Sequence, residues 1–168
     1  RPSAFRYPRG IGVGMDLPDI AEKLVIGKAR IIKEGKKVAI LNFGTRLKEC
    51  LIAEENLKKK GVDLTIVDAR FAKPLDENLI WQVATNHEVL ITIEEGAIGG
   101  FGSHVNFFLN EKNLLDNNLK FRTMILPDKF IDHNKPEEMY KDAGLDAKSI
   151  ELKVFETLNS KILIKKIN

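Results

Sequence analysis

From Lys28 onwards, short apolar runs rich in β-branched residues alternate with longer amphipathic stretches. Such short runs predict β-strands, and near-continuous apolar runs are typical of strands that are buried on both faces of a sheet. The first two runs are separated by Lys33, Glu34, Gly35 and Lys36, which is the pattern of a hairpin. Five strands are predicted, over residues 28–32, 37–43, 62–68, 89–93 and 121–126.

The amphipathic stretches between and after these runs predict helices. Thr45 is positioned to cap the first helix, and Gly61 to end it. Asp76 and Ser103 are candidate caps for the next two helices, and Pro136 stands where a fourth could begin. The apolar face of the last helix is expected to carry Ile150, Val154, Leu158 and Ile162.

Alternating strands and helices indicate an α/β domain with a parallel sheet. We predict three layers: a mostly parallel five-stranded sheet with one antiparallel edge strand, and helices on both faces. Residues 28–168 are expected to form this domain. Residues 11–27 are rich in Gly and Pro and are interpreted as a linker, and residues 1–10 as an extended remnant of a preceding unit.

Composition and charge exclude several classes of protein. The net charge is only +3, and the lysines at positions 58–60 fit a solvated helix end better than a nucleic-acid site. No apolar stretch is long enough to span a membrane, so we expect neither nucleic acid nor membrane as a partner. Cys50 is the only cysteine and is expected to be a small core residue in a reducing, cytoplasmic protein.

Ligands of open α/β sheets bind beyond the carboxyl ends of the strands, where four loops are predicted. The loop over residues 94–103 has glycines before a helix, a setting that favours phosphate binding. Its spacing differs from that of known phosphate loops, and Glu94 and Glu95 would repel a phosphate. We therefore expect a packing loop in which one glutamate accepts N–H bonds from the loop. Its structural residues are predicted to be Glu95, Gly99, Gly100, Gly102 and Ser103.

Other chemistry has little support in the sequence. Glu94 and Glu95 are adjacent, so their side chains are expected to point to opposite faces. The three histidines lie in separate segments without partners at metal-ligand spacing, so we expect none of them to bind a metal. His87 is expected to be exposed at a helix end, and His133 to shape a loop. Near the N-terminus, Arg6, Tyr7 and Arg9 surround a proline, and an arginine held there could clamp a phosphate or carboxylate.

Read in order, these segments resemble the C-terminal end of the 1-deoxy-D-xylulose-5-phosphate synthase family. Some of the matching elements are shared with transketolase-like enzymes in general, whereas RYPRG, LNFGT and LPDKFIDH are more selective. The resembling segments are AFRYPRG, LVIGKARIIKEGKKVAILNFGT, VDARFAKPLDE, ITIEEGAIGGFGSHV, LPDKFIDH and YKDAGLDAKSI.

The resemblance implies an enzyme that joins pyruvate and glyceraldehyde 3-phosphate with loss of carbon dioxide, for isoprenoid, thiamine and pyridoxal synthesis. In this family, the N-terminal domain holds Mg²⁺ and the diphosphate of thiamine diphosphate, the middle domain engages the aminopyrimidine ring, and the full-length protein is a homodimer. The chain then corresponds to the third, mainly structural domain, preceded by the last strand of the middle one. Without the other domains it is expected to be inactive and to bind neither cofactor.

The resemblance also implies a role for Arg9, which matches the family arginine that contacts the phosphate of the aldehyde substrate. Tyr7 flanks it and is a weaker candidate for the same site. The alternative interpretation is a stand-alone α/β module that binds a phosphate or a nucleotide through the glycine loop at residues 96–103.

Overall fold

The computed structural model describes residues 19–158, together with Pro2, Gly12 and Gly14. Its strands are β1 (Arg30–Lys33), β2 (Val38–Phe43), β3 (Leu64–Asp68), β4 (Val89–Glu94) and β5 (Lys120–Met124). All five predicted strands are present, with ends that differ by a few residues.

The five strands form one sheet in the order β1-β3-β2-β4-β5. β2, β3, β4 and β5 run parallel, whereas β1 pairs antiparallel with β3 at one edge. The predicted fold class, with a mostly parallel sheet and an antiparallel edge strand, is confirmed. The predicted hairpin is wrong, because β3 lies between β1 and β2. Gly35 bonds to the Thr65 side chain through its N–H (2.9 Å), which directs the connection across β3.

Within residues 19–158, five α-helices surround the sheet: α1 (Leu47–Lys58), α2 (Glu77–Asn86), α3 (Phe101–Glu111), α4 (Pro136–Asp142) and α5 (Ala147–Leu158). Asp76 caps α2 through a bond from the Leu79 N–H (3.3 Å), and Pro136 begins α4, both as predicted. Ile162, predicted on the last helix, lies outside the described residues. Among the described residues, no helix has the length and apolar character needed to cross a membrane.

The core consists of two apolar clusters, one on each face of the sheet. α1 and α5 cover one face, where Cys50, Leu57, Ile150 and Val154 are fully buried against β2, β3 and β4. α2 and α3 cover the other face. Their buried side chains include Ile80, Val83, Phe101, Val105 and Leu109.

Candidate functional site

The parallel strands β2, β3, β4 and β5 all end at the same edge of the sheet, called here the carboxyl edge. Phe43 pairs with Glu94, and Ile93 with Met124, so neighbouring strands end almost level. The connection after β2 leads to β3 on one side, and the connection after β4 leads to β5 on the other side. The neighbouring strands β2 and β4 therefore flank the topological switch point of the sheet. Ligand crevices of α/β sheets lie at such points, which makes this edge the place to look for a site.

Glu94 holds the glycine loop that follows β4. Its side chain is buried, and its two carboxylate oxygens accept the N–H groups of Phe101 (2.9 Å) and Gly102 (2.8 Å). The prediction that one glutamate accepts N–H bonds from the loop is confirmed. The glutamate is Glu94, whereas the sequence had pointed to Glu95.

The remaining N–H groups from Gly99 to His104 also have acceptors within the protein. Gly99 donates to the Ser103 hydroxyl (2.9 Å) and Gly100 to the carbonyl of Ala97 (3.0 Å). Ser103 and His104 both donate to the carbonyl of Gly100 (3.1 and 3.2 Å). The prediction that Ser103 caps the helix is wrong, because α3 begins after Gly100 and Ser103 lies inside its first turn. A phosphate would find the donors from Gly99 to His104 already used, since these groups bond inward.

Three of the loop glycines, Gly96, Gly100 and Gly102, are required by close packing. A Cβ on Gly100 would lie 2.5 Å from Glu94 Oε2, and a Cβ on Gly102 would lie 2.7 Å from Thr92 Oγ1. Both distances are shorter than side chains tolerate, so the glycines let the loop close over the carboxylate. The packing role that the sequence predicts for this loop has a direct steric basis.

Glu95 points to the opposite face and joins three other side chains, called here the Arg46 clasp: Thr45, Arg46, Glu95 and Tyr140. Arg46 Nε donates to Glu95 Oε1 (2.9 Å), and the Thr45 hydroxyl donates to the same oxygen. The Arg46 guanidinium lies over the Tyr140 ring, 3.4 Å from its centroid. The clasp ties the loops after β2 and β4 to α4.

The clasp changes two expectations. Thr45 does not cap α1 as predicted, since the helix begins after Arg46 and the Thr45 hydroxyl is directed to Glu95. Burial, and then the hydrogen bond to Glu95, raise the pKa of Tyr140 above its ordinary value. Arg46 and Tyr140 were not among the predicted site residues. No sequence spacing indicates their contact, because they lie on different elements that only the fold brings together.

A second cluster of polar side chains lies where the chain enters the sheet. Asp76 accepts the Ala29 N–H (3.1 Å) and pairs with Lys28 (3.4 Å). Asp68 pairs with Arg30 (3.1 Å) and with Arg70 (3.6 Å), whose backbone is left-handed with φ 57°. These contacts join β1 to the end of β3, and they place the arriving chain at the carboxyl edge.

The side chains of His87 and Cys50 are held by contacts within the protein. His87 is half-buried, with its ring nitrogens 2.7 Å from Thr65 Oγ1 and 2.8 Å from the Val83 carbonyl, so the predicted exposed position is wrong. Cys50 is fully buried, as predicted, and burial raises its pKa to about 12. Within the part of the chain that the structure describes, no three His, Cys, Asp or Glu residues are grouped to hold a metal ion.

The predicted substrate residues Arg9 and Tyr7, and their neighbour Arg6, lie outside the described residues. Their roles stay predictions.

Comparison with known proteins gives a family and a fold. A family model for "Transketolase, C-terminal domain" matches residues 27–150. A split-gene transketolase, solved as an inactive beta4 tetramer, is 27% identical with a TM-score of 0.74, and the match covers 84% of this chain and 46% of that one. A transketolase from Campylobacter jejuni subsp. jejuni NCTC 11168 is 15% identical with a TM-score of 0.59, over 84% of this chain and 20% of that one. The chain spans less than half the length of either protein.

Proposed function

Because the chain belongs to the transketolase C-terminal domain family, we propose that it forms the C-terminal domain of a 1-deoxy-D-xylulose-5-phosphate synthase. Full-length members of this family are thiamine-diphosphate-dependent transferases. The proposed enzyme condenses pyruvate with D-glyceraldehyde 3-phosphate and releases carbon dioxide. The proposed domains are residues 28–168, a linker at 11–27, and the end of the middle domain at 1–10.

The observation that carries this proposal is the family match, combined with the more selective segments RYPRG, LNFGT and LPDKFIDH. In support, LNFGT ends at the loop after β2, and LPDKFIDH forms part of the connection after β5. Two of the segments that favour this enzyme over its relatives therefore lie at the carboxyl edge.

The described residues do not fit thiamine diphosphate or Mg²⁺. The donors at the start of α3 are bonded to Glu94 and to other loop atoms, and no acidic cluster within residues 19–158 is grouped for a metal. We propose that the cofactor and metal bind to the other domains of the enzyme. The role of this domain is then structural support, in a full-length, cytoplasmic homodimer.

The split-gene transketolase supports the proposal that the chain alone is inactive, since that protein is described as an inactive tetramer. Calorimetry on the 168-residue chain should therefore detect no binding of thiamine diphosphate. Micromolar binding would contradict the proposal.

The proposed reaction is tested on the parent enzyme. Incubation with pyruvate and D-glyceraldehyde 3-phosphate should release one carbon dioxide for each deoxyxylulose phosphate formed. A general transketolase would instead transfer a two-carbon unit from xylulose 5-phosphate without releasing carbon dioxide. If only the second reaction occurs, the proposed activity is wrong, although the assignment to the transketolase C-terminal domain family still holds.

We further propose that Arg9 binds the phosphate of the aldehyde substrate, with Tyr7 beside it. A hydrogen bond to a charged group contributes about 1.5–3 kcal/mol, so Arg9→Ala should raise the KM for glyceraldehyde 3-phosphate roughly 10- to 100-fold. The KM for pyruvate should stay the same. Unphosphorylated D-glyceraldehyde is the control substrate, because its KM should not respond to the substitution. An equal effect on both aldehydes would contradict a phosphate contact.

A further inference from the structure

The connection from β5 to α5, which contains α4, has little packing against the rest of the domain. Met124 and Leu145 are buried on either side of it, whereas none of the described residues 125–144 is buried. Tyr140 is the one side chain of residues 127–142 that packs against either apolar cluster of the described residues. Segments with few buried apolar contacts open at a lower free-energy cost than the core.

The hydrogen bonds of this connection are also mostly internal. At the end of α4, the Leu145 N–H donates to the Tyr140 carbonyl (2.9 Å). Just before the connection begins, the Leu126 N–H donates to the Gly96 carbonyl (2.9 Å) and fastens the chain to the glycine loop. Among the described residues, the hydrogen bonds and ring contacts that join residues 127–142 to other elements are those of Tyr140.

Tyr140 attaches α4 through the Arg46 clasp. The Arg46 guanidinium lies 3.4 Å from the centroid of the Tyr140 ring, and Tyr140 also shares a hydrogen bond with Glu95. The side chains of Arg46 and Glu95 are only 12% and 29% exposed, so these contacts are partly shielded from water. A cation over an aromatic ring is held more strongly when both are desolvated. One residue therefore supplies most of the specific attachment of α4.

An unsatisfied polar group lies beneath the clasp. Asn42, at the end of β2, pairs in register with Ile93, and Glu95 follows two residues later on the same face of the sheet. Asn42 Nδ2 donates to the Gly44 carbonyl (2.9 Å), while Oδ1 is buried without a donor among the described residues. A buried acceptor without a donor costs free energy, and that cost is relieved when water can reach it. The closed arrangement of the clasp is therefore less stable than one with every group bonded.

We propose that residues 127–144 form a lid that opens as a unit while the sheet and the other helices stay folded, with the Arg46 clasp as its latch. Gly144, whose φ is 71°, lies between α4 and Leu145 and serves as a hinge. In the closed state, Tyr140 occupies the crevice between β2 and β4. Opening makes this crevice accessible at the topological switch point, where α/β sheets bind ligands. The lid is a property of the domain, whichever reaction the full-length enzyme catalyses.

Hydrogen exchange of the full-length protein, followed by mass spectrometry of its peptides, tests the lid. Without substitution, the amides of α4 should exchange at least about tenfold faster than those of α5, because opening the lid costs less than unfolding the core. Arg46→Ala and Tyr140→Ala should each speed exchange in α4 by roughly another tenfold, with unchanged rates in the sheet and α5. Tyr140→Phe keeps the ring on Arg46 and should have a smaller effect.

Lys60→Ala is the matched control. Lys60 also pairs with a carboxylate, that of Glu151 (2.7 Å), and lies over an aromatic ring, that of Phe155 (5.6 Å), but it joins α1 to α5. Its substitution should leave exchange in α4 unchanged. Equal rates in α4 and α5 of the unsubstituted protein, or unchanged α4 exchange in both clasp variants, would overturn the proposal. So would uniform acceleration of all peptides in the clasp variants, since the clasp would then stabilise the whole domain and not a lid.

Discussion

Glu94 and Glu95 leave β4 one after the other and end in different surroundings. Glu94 enters the face covered by α3 and is buried, whereas Glu95 turns to the other face and pairs with Arg46 near the surface. Alternation of side chains along a strand explains this divergence. Two identical adjacent residues therefore have different roles: Glu94 is a buried carboxylate that holds the loop, and Glu95 forms a partly exposed ion pair.

We predict that Glu94→Gln lowers the free energy of unfolding by about 2 kcal/mol, because an amide can offer only one acceptor to two buried N–H groups. Glu95→Gln is the control and should cost less than about 1 kcal/mol, since ion pairs near the surface contribute little. Urea unfolding of both variants measures the difference. Equal losses would show that Glu94 does not hold the loop.

Gly100→Ala should also destabilise the protein, by roughly 1–3 kcal/mol, since its Cβ would collide with the Glu94 carboxylate. Ala97→Gly, in the exposed part of the same loop, provides a comparison with no steric change. Thermal unfolding of both variants is the measurement. A neutral Gly100→Ala would contradict the packing role of this glycine.

The buried thiol of Cys50 predicts a pH dependence. Its pKa rises from 9.0 to about 12 in the folded protein, so above pH 9 the unfolded chain loses a proton that the folded one retains. The free energy of unfolding should then fall by about 1.4 kcal/mol per pH unit from this group alone between pH 9 and 12. Cys50→Ala removes the contribution, and its denaturation curves should decline less steeply over that range. Parallel declines would mean that the thiol titrates equally in both states.

At the scale of elements, α1 and α5 share one face of the sheet and are joined by polar contacts at their rim. Glu151 accepts bonds from Asn56 (2.8 Å) and Lys60 (2.7 Å), and the bond from Lys60 is the main cause of its lowered pKa. Beneath these contacts, Ile150 and Val154 are fully buried. The apolar stripe of α5 is what attaches this helix, and the polar rim sets its alignment.

Ile150→Ala should therefore lower the free energy of unfolding by about 2–5 kcal/mol through the cavity it leaves. Leu152→Ala, two residues along the same helix and half exposed, should change it by less than about 0.5 kcal/mol. Chemical denaturation distinguishes the two. A large loss in the Leu152 variant would mean that this face of α5 is covered in the protein studied.

At the scale of the whole molecule, the two edges of the sheet differ. β1 closes one edge by antiparallel pairing, whereas β5, within the described residues, pairs only with β4. Arg122 lies in this open strand and is exposed. Charged residues on open strands discourage edge-to-edge pairing with other molecules.

Arg122→Val should accordingly promote concentration-dependent association, because it removes the charge and raises strand propensity at an open edge. Lys48→Val makes a similar change on the exposed side of α1, where the backbone is already bonded, and should leave the protein unassociated. Light scattering over a range of concentrations compares the two variants. Association of both would show that added hydrophobicity, and not the open edge, is responsible.

Local pattern was enough to determine the strands, most helices, the fold class and the capping role of Asp76, because periodicity and capping depend on residues close in sequence. It also determined that a glutamate would bond to the glycine loop. Only the tertiary structure decided that β3 separates β1 from β2, that Glu94 is that glutamate, and that Arg46 meets Tyr140. These outcomes depend on which distant surfaces pack together, and packing free energy is summed over the whole core.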